Sequence, residues 1–152
     1  MTFQIRQAQQ RDLPELLRLY RQLNPADPPP DIDAAAATLA AMINSPMTTL
    51  FLAVDGDRTV GSCTLIIVPN LTRNLKPYAL IENVVADADY RRRGVGKAVM
   101  SQALNEAWNA GCYKVMLMTG KQRNGAIPFY ESLGFVADRK TGMEIRRPQD
   151  RD

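Results

Sequence analysis

The chain contains no histidine. A Ser-His-Asp or Cys-His nucleophile site is therefore excluded, and so is any metal site built on imidazole ligands. Cysteine is scarce as well: Cys63 and Cys112 are too far apart for a CxxC motif and too few for a disulfide scaffold. They read as small buried hydrophobes in a reducing compartment. No stretch approaches the roughly 18 apolar residues of a membrane span. The first residues, MTFQIRQAQQRD, lack the apolar core of a secretory leader. The expectation is a soluble, cytoplasmic protein with no membrane partner. Excess charge is slight, 19 Lys and Arg against 16 Asp and Glu, which does not by itself indicate nucleic acid as a partner.

What is present fits one globular domain. A chain of 152 residues, 45% hydrophobic and 23% charged, has an ordinary composition. At that length it buries roughly 68–70% of its unfolded surface without a disulfide or metal staple. The reading is a single domain over 1–148 with a polar tail at 149–152. The one biased segment, Asn24-Pro-Ala-Asp-Pro-Pro-Pro30, is a stiff connector, because consecutive prolines cannot continue a helix.

Periodicity gives the order of elements. Phe3 to Arg6 alternates as a short strand. Asp12, Pro14 and Glu15 resemble a capping box opening a helix with Leu13, Leu16, Leu17, Tyr20 and Leu23 on its apolar face. Asp31 or Asp33 opens a second helix. Leu50 to Val54 and Thr59 to Val68 are strands joined by a tight turn at Asp55-Gly56. Tyr78 to Ala86 is a strand. Gly94 to Gly111 is a helix whose buried stripe runs Val95, Val99, Met100, Ala103, Leu104, Ala107, Trp108. Val115 to Met118 is a strand and Ala126 to Leu133 a short helix. Phe135-Val136 and Met143 to Ile145 are closing strands, an edge that would support a homodimer. The order β-α-α-β-β-β-α-β-α-β-β describes an α/β domain with a mixed sheet.

Chemistry concentrates in Arg91-Arg-Arg-Gly-Val-Gly-Lys97, which follows a strand and opens a helix. Glycines allow close approach of backbone N–H groups to an anion, and the helix N-terminus adds partial positive charge. A phosphate-bearing ligand suits this segment; a basic surface turn is the plainer alternative. Neither familiar phosphate motif fits. A P-loop needs glycine where Arg91 stands and Ser or Thr where Ala98 stands, and a dinucleotide fingerprint needs glycine where Val99 stands.

Arg91-x-x-Gly94-x-Gly96 resembles the [Q/R]-x-x-G-x-[G/A] signature of the GNAT family of N-acetyltransferases. Asn124-Gly-Ala-Ile-Pro-Phe-Tyr-Glu-Ser-Leu-Gly-Phe135 resembles that family's A-x-x-F-Y-E-x-L-G-F segment. The likeness extends to the order of elements and covers nearly the whole chain. Within the family, Ile81-Glu-Asn-Val-Val85 and Gly111-Cys-Tyr-Lys-Val115 are similar to the glucosamine-6-phosphate acetyltransferases, although Met118-Thr-Gly120 stands where those usually have Asp-Cys.

The resemblance implies a mostly antiparallel sheet flanked by about four helices, acetyl-CoA as co-substrate, a small-molecule amine as acceptor, direct transfer and no metal. It places the pyrophosphate on the backbone of Arg92, Arg93, Gly94, Val95, Gly96 and Lys97, with Arg91 at the rim. The pantetheine arm runs along Val84, Val85 and Ala86, where the fourth strand parts from the fifth. Tyr130 is the candidate acid for the leaving thiolate; the alternative is a packing role beside Phe129 and Leu133. Glu82 is the candidate base, directly or through a water, turned by period-two alternation to the face of Val84 and Ala86; the alternative is a strand-end ion pair. Arg123 and Asn124 contact the coenzyme or cap the fourth helix. Pro128 delays the start of that helix and so bears on both. Arg73, Lys76, Lys121 and Lys140 suit an anionic or phosphorylated amine. A module that binds acetyl-CoA without turnover, and an enzyme acting on a protein N-terminus or lysine, are the competing functions.

Overall fold

The computed structural model describes residues 2–121 and 123–150. They divide into two compact units at Leu117/Met118. The first unit carries β1 (Gln4–Gln7), α1 (Leu13–Leu23), α2 (Ile32–Asn44), β2 (Thr48–Asp55), β3 (Arg58–Val68), β4 (Tyr78–Ala86), α3 (Val95–Asn109) and β5 (Val115–Met116). The five strands form one sheet in the order β1-β2-β3-β4-β5, with β1 to β4 antiparallel and β5 parallel to β4. The mostly antiparallel sheet and four helices are those expected.

The two faces of the sheet follow from β3. The Cys63 thiol donates to the Val99 carbonyl of α3 at 3.5 Å, so odd-numbered neighbours face α3. Ser62 and Thr64 therefore face α1, where the Tyr20 phenol lies beside them. On the α3 side Val95, Val99, Met100, Ala103 and Ala107 are buried. Trp108 does not belong to that stripe: it lies one residue past Ala107, about 100° round the helix, and is half exposed. On the α1 side Leu16 clusters with Ala8, Leu39, Leu50 and Leu52. At Gly61 a Cβ would overlap Val95, so only glycine lets α3 sit this close to β3.

Asp31, one of the two expected caps, accepts from Ala34 N–H at 2.8 Å and opens α2. The capping box expected at α1 is not formed. Asp12 instead takes both nitrogens of the Arg6 fork at 2.7 Å and the Gln9 N–H. Glu15 pairs with Arg18 and accepts from Thr59 N–H on β3. Both carboxylates contribute more by tying α1 to the sheet than by ending its hydrogen-bond ladder.

The second unit contains α4 (Ala126–Glu131) and a 3-10 turn at Pro148–Asp150; residues 151 and 152 of the expected tail lie outside the described residues. The closing strands are not formed. Among the described residues neither Phe135-Val136 nor Met143 to Ile145 pairs with a strand, and Met143 and Ile145 are almost fully exposed. Each run is two or three residues long, and a strand that short needs a neighbour to hold it. For the same reason β5 stops at Met116 rather than Met118. Both cysteines are free and buried, and burial pushes the Cys63 thiol up to about 12 and raises that of Cys112. No helix among the described residues is long and apolar enough to cross a membrane.

Candidate active site

The site is organised by an irregularity in β4. Thr64 pairs with Glu82 and Ser62 with Val85, so Asn83 and Val84 together oppose Cys63. This is a β-bulge, with Asn83 in the left-handed region at φ +52°. Asparagine tolerates that region better than most side chains. The extra residue reverses the alternation, which corrects the expectation that Glu82 shares a face with Ala86. Glu82 lies on the α1 face with Thr64, whereas Ala86, paired with Gly61, lies on the α3 face. Val85 is buried beside Ser62, so what it offers a ligand is backbone. Glu82 is exposed and forms no ion pair among the described residues, contrary to the strand-end alternative.

The second edge of β4 opens at the same place. Pairing with β5 covers only Ala79 and Leu80. From Ile81 to Ala86 that edge has no strand neighbour among the described residues, and its open amide groups suit the amides of an extended ligand.

Past β4 the chain turns through Ala88–Tyr90 into α3. Gly94 caps α3 with φ +80°, and Arg92 is left-handed at +62°. The first helical bond runs from Ala98 N–H to Gly94 at 2.9 Å, so Val95, Gly96 and Lys97 have no intrahelical acceptor. The first turn holds no acid, and Arg91, Arg92 and Lys97 are exposed around it. Open N–H groups, a dipole end and unopposed cations fit a pyrophosphate. The Val95 side chain is buried under β3, leaving its backbone N–H for a ligand.

The loop is braced by a buried ionic knot that composition and spacing did not reveal. Asp87, its side chain 1% exposed, binds Arg18 of α1 at 2.8 Å and Arg58 of β3 at 2.9 Å. Arg58 also reaches Asp89, and Arg18 donates to the Thr59 carbonyl. Gln22 accepts from Ala88 N–H. Tyr90 is pinned by Asp55 at 2.8 Å and sits between Arg58 and Arg93, each within 5.5 Å of its ring. Stacking of this kind fixes the Arg93 guanidinium beside the helix end.

The remaining candidates belong to the second unit. Tyr130 is half-buried, 5.1 Å from the Phe129 ring and edge-on to Phe135 at 6.0 Å. Gly125, with φ +80°, occupies the cap position of α4, so neither Arg123 nor Asn124 caps it. Both are exposed. The helix starts at Ala126 without delay: Pro128 is its third residue, where the missing N–H would have had no intrahelical partner, and the first bond runs from Phe129 to Gly125.

Gly94→Val tests the cradle. Nothing lies within 4 Å of a Cβ built at Gly94, so the damage comes from forcing a β-branched residue to φ +80° at the anion's place of approach. Acetyl-CoA at about a hundred times its Kd adds about 2.7 kcal/mol to the wild type. At this size that raises Tm by about 5–10 °C. In Gly94→Val most of that shift is lost, as thermal melts with and without acetyl-CoA would show.

Known proteins share this architecture. The model of the Acetyltransferase (GNAT) family matches residues 12–135. A glucosamine 6-phosphate N-acetyltransferase of Trypanosoma brucei brucei is 34% identical over 134 residues, 88% of this chain and 89% of that protein. A solved structure of a putative acetyltransferase from Agrobacterium tumefaciens superposes with a TM-score of 0.90 at 48% identity, covering 95% of this chain and 99% of that one. A Trypanosoma brucei acetyltransferase structure gives 0.80 at 32% identity, covering 95% and 100%. With the bulged fourth strand, the parted edge and the glycine-capped helix already in place, the chain belongs to the GNAT family and is an acetyl-CoA-dependent N-acetyltransferase.

Proposed function

We propose that the protein acetylates the amine of a small, phosphorylated amino sugar or a similar anionic amine. The observation that carries this reading is the continuous stretch from Glu82 to Lys97, which joins an unpaired carboxylate, an open strand edge and a basic, acid-free helix end. Val84 to Ala86 hold the pantetheine arm, Arg91 to Lys97 the pyrophosphate, and Arg123 and Asn124 add contacts to the coenzyme. The amine nitrogen attacks the thioester carbonyl; the C–N bond forms and the C–S bond breaks. Glu82, directly or through a water, takes the proton from nitrogen, and Tyr130 gives one to the departing sulfur, so the products are an amide and free CoA thiol.

A cationic cluster supports the anionic acceptor. Arg73 and Lys114 stack on Tyr113 at 5.7 and 5.3 Å, Lys114 also lies over Tyr78, and Lys76 is close by in sequence. None of these three cations forms an ion pair among the described residues. The Trypanosoma relative, aligned over most of both chains, is named for glucosamine 6-phosphate. A thiol-release screen with glucosamine 6-phosphate, glucosamine, spermidine and a peptide N-terminus tests the assignment. The phosphorylated sugar is the best substrate on this reading; faster turnover of the peptide or polyamine would overturn it, and no turnover of any amine would favour a coenzyme-binding module.

Tyr130→Phe keeps the ring contacts with Phe129 and Phe135 and removes the phenol proton. General acids contribute about 10²–10⁴-fold, so turnover falls at least about tenfold where chemistry limits, with Tm and acetyl-CoA affinity unchanged. Wild-type single-turnover rates in the variant would leave Tyr130 a packing residue.

A further inference from the structure

Three hydroxyl oxygens are buried on the α1 face of the sheet without a hydrogen-bond partner: Tyr20 Oη, Ser62 Oγ and Thr64 Oγ1. Ser62 is 0% and Thr64 4% exposed. The Tyr20 phenol lies within weak hydrogen-bonding reach of Ser62 and Thr64, but none of the three forms a well-aligned bond with another described group. Buried hydroxyls are almost always paired, and an unpaired one carries its full desolvation penalty. Stability alone would favour Val at 64, Ala at 62 and Phe at 20, which keep the packing and remove the penalty.

Their position gives them a use. Thr64 is the cross-strand partner of Glu82 across the bulge, and directly opposed residues place their Cβ atoms about 4.5–5.5 Å apart. Glu82 is itself a carboxylate without an ion pair among the described residues. Donors without acceptors thus stand one cross-strand step from an acceptor without donors. The other carboxylates near α1 are engaged: Glu15 by Arg18 and Thr59, Asp87 by Arg18 and Arg58.

We infer that Tyr20, Ser62 and Thr64 are positioning residues that turn the Glu82 carboxylate inward and hold it against the acceptor nitrogen. Inward rotation of Glu82 gives Thr64 an acceptor, and small hydroxyl adjustments then let Tyr20 donate to Thr64 and Ser62 to Tyr20, so that each bond polarises the next. This rests on the reading of Glu82 as proton acceptor.

The test is a set of double-mutant cycles. Thr64→Val and Tyr20→Phe are each made in the wild type and in Glu82→Gln. Thiol release is followed with glucosamine 6-phosphate and, at high enzyme concentration, as amine-free hydrolysis of acetyl-CoA, which also needs a group to take a proton. In the wild-type background Thr64→Val slows turnover about tenfold, the scale of one hydrogen bond to a charged group, and Tyr20→Phe, which loses a bond to a neutral hydroxyl, slows it about threefold. The Kd for acetyl-CoA is unchanged, and Tm is unchanged or higher, an outcome that a structural role would not give. In Glu82→Gln the same substitutions change little, because the group they act through is gone. Undiminished turnover in Thr64→Val and Tyr20→Phe would overturn the inference, as would equal slowing in both backgrounds. Full activity of Glu82→Gln alone would overturn the base assignment itself, a distinct failure.

Discussion

Glu82→Gln lowers the rate of acetyl transfer by about 100-fold at neutral pH, within the range spanned by general bases. An alkyl amine in water is mostly ammonium at that pH, by analogy with lysine at about 10.4, and ammonium has no lone pair for attack. Some group must accept its proton, and the chain offers no imidazole. Glutamine keeps the shape of Glu82 but is not a base. Binding of acetyl-CoA is unaffected, because its contacts begin at Val84 and the Glu82 side chain points to the α1 face. The substrate's ammonium must still lose its proton in the variant, so the rate falls across the pH range in which the wild type works. Rates of both proteins with one confirmed amine, measured over that range, check this. An undiminished rate would move the proton to another group.

Asp87→Ala destabilises the fold by about 3 kcal/mol. Removing one member of a buried ion pair costs about 3–5 kcal/mol, and the lower end applies because Arg18 and Arg58 are 33% and 42% exposed and can turn to water. At about 2–4 °C per kcal/mol, Tm drops by about 6–12 °C. The loss also has a pH signature. Burial pushes the Asp87 carboxyl up, but the Arg18 bond, the Asp89 N–H and Arg58 together outweigh it and hold the group below its usual range. A depressed native pKa stabilises above the unfolded value of about 3.9 and ceases to do so as pH falls through the native one. Urea unfolding from pH 7 to 3 therefore shows a steeper acid decline in the wild type than in Asp87→Ala. Parallel curves would mean that the knot contributes geometry rather than charge.

Local signals were legible where neighbours in sequence are neighbours in space. Tyr78 to Ala86 reads as β4 from its apolar pattern, and Gly94 marks the start of α3 because it belongs to the basic glycine motif between that strand and the apolar helical stripe. Parity failed at Glu82 because it assumes an unbroken ladder; Asn83 was the one available hint, as a residue that accepts positive φ. The knot of Arg18, Arg58 and Asp87 spans 69 residues, beyond any helical or strand spacing. Glu15 looked like a cap because its spacing from Asp12 is right, but Thr59 N–H and Arg18 compete for it through tertiary contacts. The closing strands fail because an apolar pair, Phe135-Val136, and one alternation, Met143-Glu144-Ile145, suggest a strand without supplying a partner for it.

The burial of both thiols bears on the enzyme's relation to its own product. Each turnover releases a free CoA thiol, and thiols of that kind form mixed disulfides with accessible, ionised protein cysteines. Cys63 is sealed against Val99 with its thiol at about 12, and Cys112 is buried under the end of α3. Neither presents a thiolate at neutral pH. The protein is thus inert to capture by the compound it makes. It is equally silent towards aromatic disulfide reagents, so the colour that such a reagent develops in the native state reports coenzyme alone.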